Sequence, residues 1–124
     1  MIDHTGINAS DFEKSKTFYS KSLSAIGYSV LVELAGQTDI AGFGEPPKPD
    51  FWVIKGIPNS PPVHVAFRAE KRAQVDAFFK AAIAAGGRDN GQPGFRPHYH
   101  PNYYGAFVLD PDGHNIEVVC HAPE

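Results

Sequence analysis

An α+β fold built from two paired βαβββ modules is the architecture this sequence predicts, and three observations predict it. Strand-like and helix-like segments follow one another in the order β, α, β, β, β twice along the chain. The two halves form a weak repeat, because His4 precedes Phe18-Tyr19 by fourteen residues just as His64 precedes Phe78-Phe79. Two copies that each mix a helix with strands point to paired modules rather than a solenoid, since neither copy alone covers both faces of its sheet. The composition suits one such unit. The chain has 124 residues, 42% hydrophobic and 20% charged, with nine Phe, five Tyr and one Trp, enough to bury a core without disulfides. The expected organisation is a single domain over residues 1–124, with module 1 at about 1–56 and module 2 at about 62–122.

Residues 2–8 read as the first strand, and Ser10-Asp11-Phe12-Glu13 has the S-x-x-E form of a capping box, so a helix is expected to start at Ser10. Phe12, Ser15, Phe18, Tyr19, Leu23 and Ile26 fall at helical spacing, and Gly27 stands where a left-handed cap would end the helix. Strands are expected over 28–34, 38–43 and 50–55, separated by Ala35-Gly36-Gln37 and by the proline-rich turn 44–49. Prolines in the stretch 57–62 fix φ and disfavour helix, which marks a linker. The second module then repeats the order: strand 62–69, helix 70–85 ending at Gly86-Gly87, a short strand near 87–90, and strands over 103–109 and 115–121 around an Asp110-Pro111-Asp112-Gly113 turn.

Several function classes fall away. The net charge of -3 is spread over residues of both signs without a basic run, which argues against a nucleic-acid partner. No apolar run is long enough to span a bilayer and the start of the chain lacks a signal-peptide pattern, so no membrane partner and a cytoplasmic location are expected. Cys120 is the sole cysteine, which precludes an intrachain disulfide and a thiolate cluster. Its place in the last strand puts it on the face opposite Glu117, as a small buried apolar residue.

The chemistry-bearing residues lie in three segments. His4 in the first strand is followed by S-D-x-E-x-S-x-x-F-Y, His64 heads the second module in H-V-A-F, and D-P-D-G-H-N-I-E ends in Glu117. In this order and spacing the three segments resemble the vicinal oxygen chelate superfamily, which contains glyoxalases, bleomycin-resistance proteins and extradiol dioxygenases. The resemblance covers nearly the whole chain. It implies that the modules pair into an open, U-shaped sheet around a central cavity, with His4, His64 and Glu117 as ligands of one divalent metal ion (Fe, Mn, Ni, Co or Zn). Two imidazoles and a carboxylate leave adjacent coordination positions open, where a small-molecule substrate with neighbouring oxygens can bind. The implied function is a metal-dependent enzyme of lyase or isomerase, transferase or dioxygenase type, often working as a homodimer. The alternative is a metal-free protein that sequesters a small molecule, as bleomycin-resistance proteins do.

Around these ligands, Tyr103, His98 and Asp50 are the candidates for proton transfer, and Phe51, Trp52, Arg96 and Tyr104 for substrate binding. Arg96, His98, Tyr103 and Tyr104 belong to the stretch 94–104, dense in aromatic, proline and basic residues, which is suited to a rim over a cavity. His114 is expected to be solvated in its turn, and His121 shares the face of Glu117. Glyoxalase I has a second glutamate ligand in the last strand of its first module; by the repeat, Trp52 or a neighbour stands there.

Overall fold

The computed structural model describes residues 1–36 and 38–124. Module 1 comprises β1 (Thr5–Ala9), α1 (Phe12–Ser22), β2 (Ser29–Leu34), β3 (Ile40–Gly44) and β4 (Phe51–Lys55); module 2 comprises β5 (His64–Ala69), α2 (Arg72–Ala84), β6 (Arg88–Phe95), β7 (Tyr104–Leu109) and β8 (Asn115–Cys120). The strands make two four-stranded sheets, ordered β1-β4-β3-β2 and β5-β8-β7-β6. In each sheet the first strand pairs in parallel with the last, and the other pairs are antiparallel. Parallel partners need a long connection between them, and the helix together with the intervening hairpin supplies it. The α+β architecture of two βαβββ modules with open sheets is therefore the one predicted.

Two elements differ from the expectation at their starts. The first strand begins at Thr5, so His4 lies one residue ahead of it. The capping box does not form: Asp11 is the cap, its carboxylate accepting from the Lys14 N–H at 3.2 Å. Ser10 is drawn away because its N–H and hydroxyl both donate to the Asp112 carboxylate in the other module. The helical stripe is as predicted, with Phe12, Ser15, Phe18, Tyr19 and Ser22 buried. Its last turn tightens into a 3₁₀ turn over Leu23–Ile26, closed by Gly27 at φ 84°, a conformation that a side chain would disfavour. The strand β6 is longer than expected and irregular, with register shifts at Gly91 and Gly94. Of the predicted turn at 35–37, Gln37 lies outside the described residues.

Both modules contribute to a common aromatic core. Tyr19, Phe18, Phe43, Phe51 and Phe78 are fully buried, and each such ring contributes roughly 1.5–3 kcal/mol by leaving water. Phe51 of β4 meets Phe67 of β5 edge-on at 5.1 Å, and Tyr28 meets Phe67 at 5.5 Å, so ring contacts cross the boundary between modules.

The turn between β7 and β8 fastens the second module to the first. The buried Tyr19 hydroxyl donates to Asp110, whose other oxygen accepts the N–H groups of Asp112 and His114, each at 2.9 Å. His114 is fully buried, contrary to the solvated position expected of a turn residue. Its Nδ1 accepts from the Val63 N–H at 3.0 Å, which leaves the ring proton on Nε2, facing the Asn8 carbonyl at 3.3 Å. Most of the D-P-D-G-H-N-I-E segment is thus structural, and Glu117 alone of its acidic residues faces the candidate site.

Candidate metal centre and ligand pockets

Glu117 sits in the middle of β8, 1% exposed, on the face opposite the buried Cys120, as strand alternation requires. An isolated carboxylate there would be costly to bury. Two groups compensate it. His64 Nε2, at the start of the neighbouring β5, lies 2.8 Å from Oε1, and the Tyr103 hydroxyl donates to Oε2. Burial first, and the bond to Glu117 second, push the Tyr103 hydroxyl well above the ordinary tyrosine range, so it is the proton donor of the pair at neutral pH. Gly105 lies beside this pair, where a Cβ would stand 3.2 Å from the Tyr103 ring and 3.5 Å from Glu117 Oε2.

His64, Glu117, Tyr103 and Phe107 line an open pocket of about 610 Å³ together with His98, Tyr99 and His100. The last three come from the loop between β6 and β7, which is closed by the Arg96 N–H donating to the Tyr103 carbonyl at 2.8 Å. His98 is on this loop, its ring tilted by 46° to that of Tyr99 with centroids 4.2 Å apart. His100 of this loop also pairs with His121, just past β8, which the sequence did not announce. His100 Nδ1 accepts from the Asn102 N–H at 3.1 Å, so its proton is on Nε2 and donates to His121 Nδ1 at 2.7 Å. Tyr103 packs edge-on against both rings, at 5.4 and 5.2 Å. His121 thus supports the ring that holds Glu117.

His4 lies elsewhere. Its ring is exposed, with Nδ1 2.7 Å from Asp3, and it shares with His64 a cleft of about 380 Å³ between β1 and β5 that Glu117 does not reach. Among the described residues no three His, Cys, Asp or Glu side chains converge. The structure brings His64 and Glu117 together and leaves His4 apart.

The remaining candidates divide by strand face. Trp52 lines a pocket beside His4. Phe51, its neighbour in β4, points the other way and is buried in the core, so it is no cavity wall. Tyr104 likewise turns to the helix side of its sheet, where its hydroxyl bonds Asp76 of α2. Arg96 is tied to the Gly94 and Gln92 carbonyls at 2.9 and 2.8 Å and braced over Phe107. Those carbonyls are free because β6 bulges at its glycines. Asp50 lines the cleft with His4 and His64 and accepts from the Tyr28 hydroxyl at 2.9 Å.

The strand registers compare the two modules atom row by atom row. Gly6 faces Trp52, which faces Gly42; Ala66 faces Glu117, which faces Phe107. Since His4 and His64 stand two residues before Gly6 and Ala66, Trp52 occupies in module 1 the place of Glu117 in module 2.

The family model for the Glyoxalase/Bleomycin resistance protein/Dioxygenase superfamily matches residues 1–118, and the chain belongs to that superfamily. Among solved structures, a glyoxalase/bleomycin resistance protein from Albidiferax ferrireducens is similar at 29% identity and a TM-score of 0.74, over 94% of this chain and 96% of that one. A glyoxalase I variant from Zea mays shares the fold at 24% identity and a TM-score of 0.72; the match covers 95% of this chain and 46% of the maize chain. A glyoxalase/bleomycin resistance protein/dioxygenase family enzyme from Burkholderia phytofirmans also shares it, at 18% identity, a TM-score of 0.71 and 98% coverage of both chains. No curated protein matches. No helix among the described residues is long and apolar enough to cross a membrane.

Proposed function

We propose that this chain is a metal-dependent enzyme acting on a small molecule that presents adjacent oxygens, with His4, His64 and Glu117 as the ligands of one divalent ion. The observation that carries the reading is the His64–Glu117 pair: an imidazole nitrogen and a buried carboxylate oxygen 2.8 Å apart, opening onto a pocket. This donor set fits a borderline divalent cation such as Fe, Mn, Co, Ni or Zn. When bound, the ion supplies Lewis-acid stabilisation of negative charge on the substrate oxygens. Tyr103, with its proton held on the hydroxyl beside Glu117, is the group placed to give or take a proton, and His98 and Tyr99 form the rim above it.

His4 completes the set from a second copy of the chain, because within one chain it stands exposed in a cleft that Glu117 does not line. The working form is accordingly a homodimer in which module 1 of one subunit faces module 2 of the other. Sedimentation at several concentrations should give a dimer, and a monomer throughout would remove this arrangement.

Metal content tests the ligand reading directly. Protein purified without a tag and offered Fe, Mn, Co, Ni and Zn should bind one ion per chain. Glu117→Gln, which keeps the shape but removes the anionic donor, should weaken uptake by at least tenfold; unchanged affinity would refute the assignment. One observation favours a second reading, a metal-free binding protein: both Glu117 oxygens already have partners in His64 and Tyr103. Under that reading none of the five metals binds, and Glu117→Gln alters stability alone.

A further inference from the structure

The two modules carry opposite surfaces at equivalent positions, and the module 1 surface is built to receive a flat ring. Where module 2 pairs Glu117 with Phe107, module 1 pairs Trp52 with Gly42. A Cβ on Gly42 would stand 2.7, 2.9 and 3.0 Å from Cζ3, Cη2 and Cε3 of the indole. Three adjacent ring atoms at nearly equal distance mean that this Cβ would sit above the ring face; an edge-on approach would put the two flanking atoms much farther away than the central one. The indole therefore lies across Gly42, in the space that Phe107 fills in module 2, with one face on the sheet and the other turned outward. The outward face meets an open pocket of about 670 Å³ whose apolar part is Leu34, Ile40, Pro49 and Ile54.

One end of this pocket is polar. Asp3 there has two partners, with His4 Nδ1 2.7 Å from one carboxylate oxygen and Lys48 Nζ 3.3 Å from the other. Lys48 Nζ also donates to the Asp3 and Pro49 carbonyls, at 3.0 and 3.5 Å, so the chain's own contacts occupy this end. A flat apolar wall with an open face defines a ligand class.

We propose that this pocket binds a planar aromatic molecule, its ring stacked on the outward face of Trp52. The inference deepens the enzyme reading by naming its substrate class; it rests on that reading only for the statement that the bound molecule is turned over. Binding itself needs neither the metal nor Glu117.

Trp52 is the sole tryptophan, so its indole N–H gives one signal in an ¹⁵N-correlated spectrum. Metal-stripped protein titrated with 2-hydroxybenzoate should shift that signal saturably. The saturated analogue 2-hydroxycyclohexanecarboxylate should bind about five- to tenfold more weakly, the stacking share of the affinity. Trp52→Leu should abolish the preference for the aromatic acid, and Trp52→Phe should retain part of it, which guards against a folding defect. Gly42→Ala, which displaces the indole without touching its chemistry, should reduce the preference too. Equal affinity for the two acids, or an indole signal that does not move, would overturn the proposal. A protein that binds the aromatic acid but takes up no metal would keep this inference and lose the enzyme reading.

Discussion

At the scale of single residues, the site depends on how one buried carboxylate is compensated. Glu117 has two partners: His64 on one oxygen, Tyr103 on the other. Removing the Tyr103 hydroxyl leaves Oε2 without its donor, and an unsatisfied buried acceptor costs about 1–3 kcal/mol. Tyr103→Phe should therefore lower the unfolding free energy in urea by roughly that amount, and a variant as stable as the parent would show the bond to be dispensable. The sequence pointed to Glu117 and Tyr103 separately. Their bond was not legible, because it joins a loop residue to β8, with Gly105 beside the pair and His100 and His121 against the tyrosine ring.

At the scale of elements, strand alternation sorted the candidates, and it sorted some against expectation. Trp52 and Phe51, or Tyr103 and Tyr104, are adjacent in the chain and on opposite sides of a sheet, so composition alone treats them as equals. Tyr104 belongs to the packing of α2 on the sheet: its ring meets Phe95 at 5.3 Å, Arg72 lies over Phe95 at 4.7 Å, and its hydroxyl donates to Asp76. That bond, and then burial, raise the Tyr104 hydroxyl from 10.0 to about 12. The folded protein thus keeps a proton between pH 10 and 12 that the unfolded chain gives up. The contribution is whole below pH 10 and is lost as pH rises through about 12. Unfolding followed across this range should show stability falling with pH, and Tyr104→Phe should flatten that slope; an identical slope would refute the assignment.

At the scale of the whole molecule, the two modules are joined by a buried polar cluster as well as by a common core. Tyr19 of α1 reaches Asp110 in the turn between β7 and β8, Ser10 reaches Asp112, and His114 bridges to Asn8. Tyr19→Phe keeps the ring but removes a hydrogen bond to a charged group, worth roughly 1.5–3 kcal/mol. Its urea midpoint should fall with the slope unchanged. A shallower transition would instead show the modules unfolding separately, and would mean that the aromatic contacts between Phe51 and Phe67 do not couple them.

By itself the sequence determined the two βαβββ modules and the buried place of Cys120, which follow from periodicity and turn chemistry, and the resemblance of its three motif segments pointed to the superfamily. Only the tertiary structure decided that His4 stands in a cleft that Glu117 does not line, that Arg96 is tied to its own strand, that His114 is buried at the module junction, and that Trp52 lies flat on Gly42. All of these but the Arg96 contact are relations between different strands or modules. Sequence periodicity reports which face a side chain takes, but not which partner waits there.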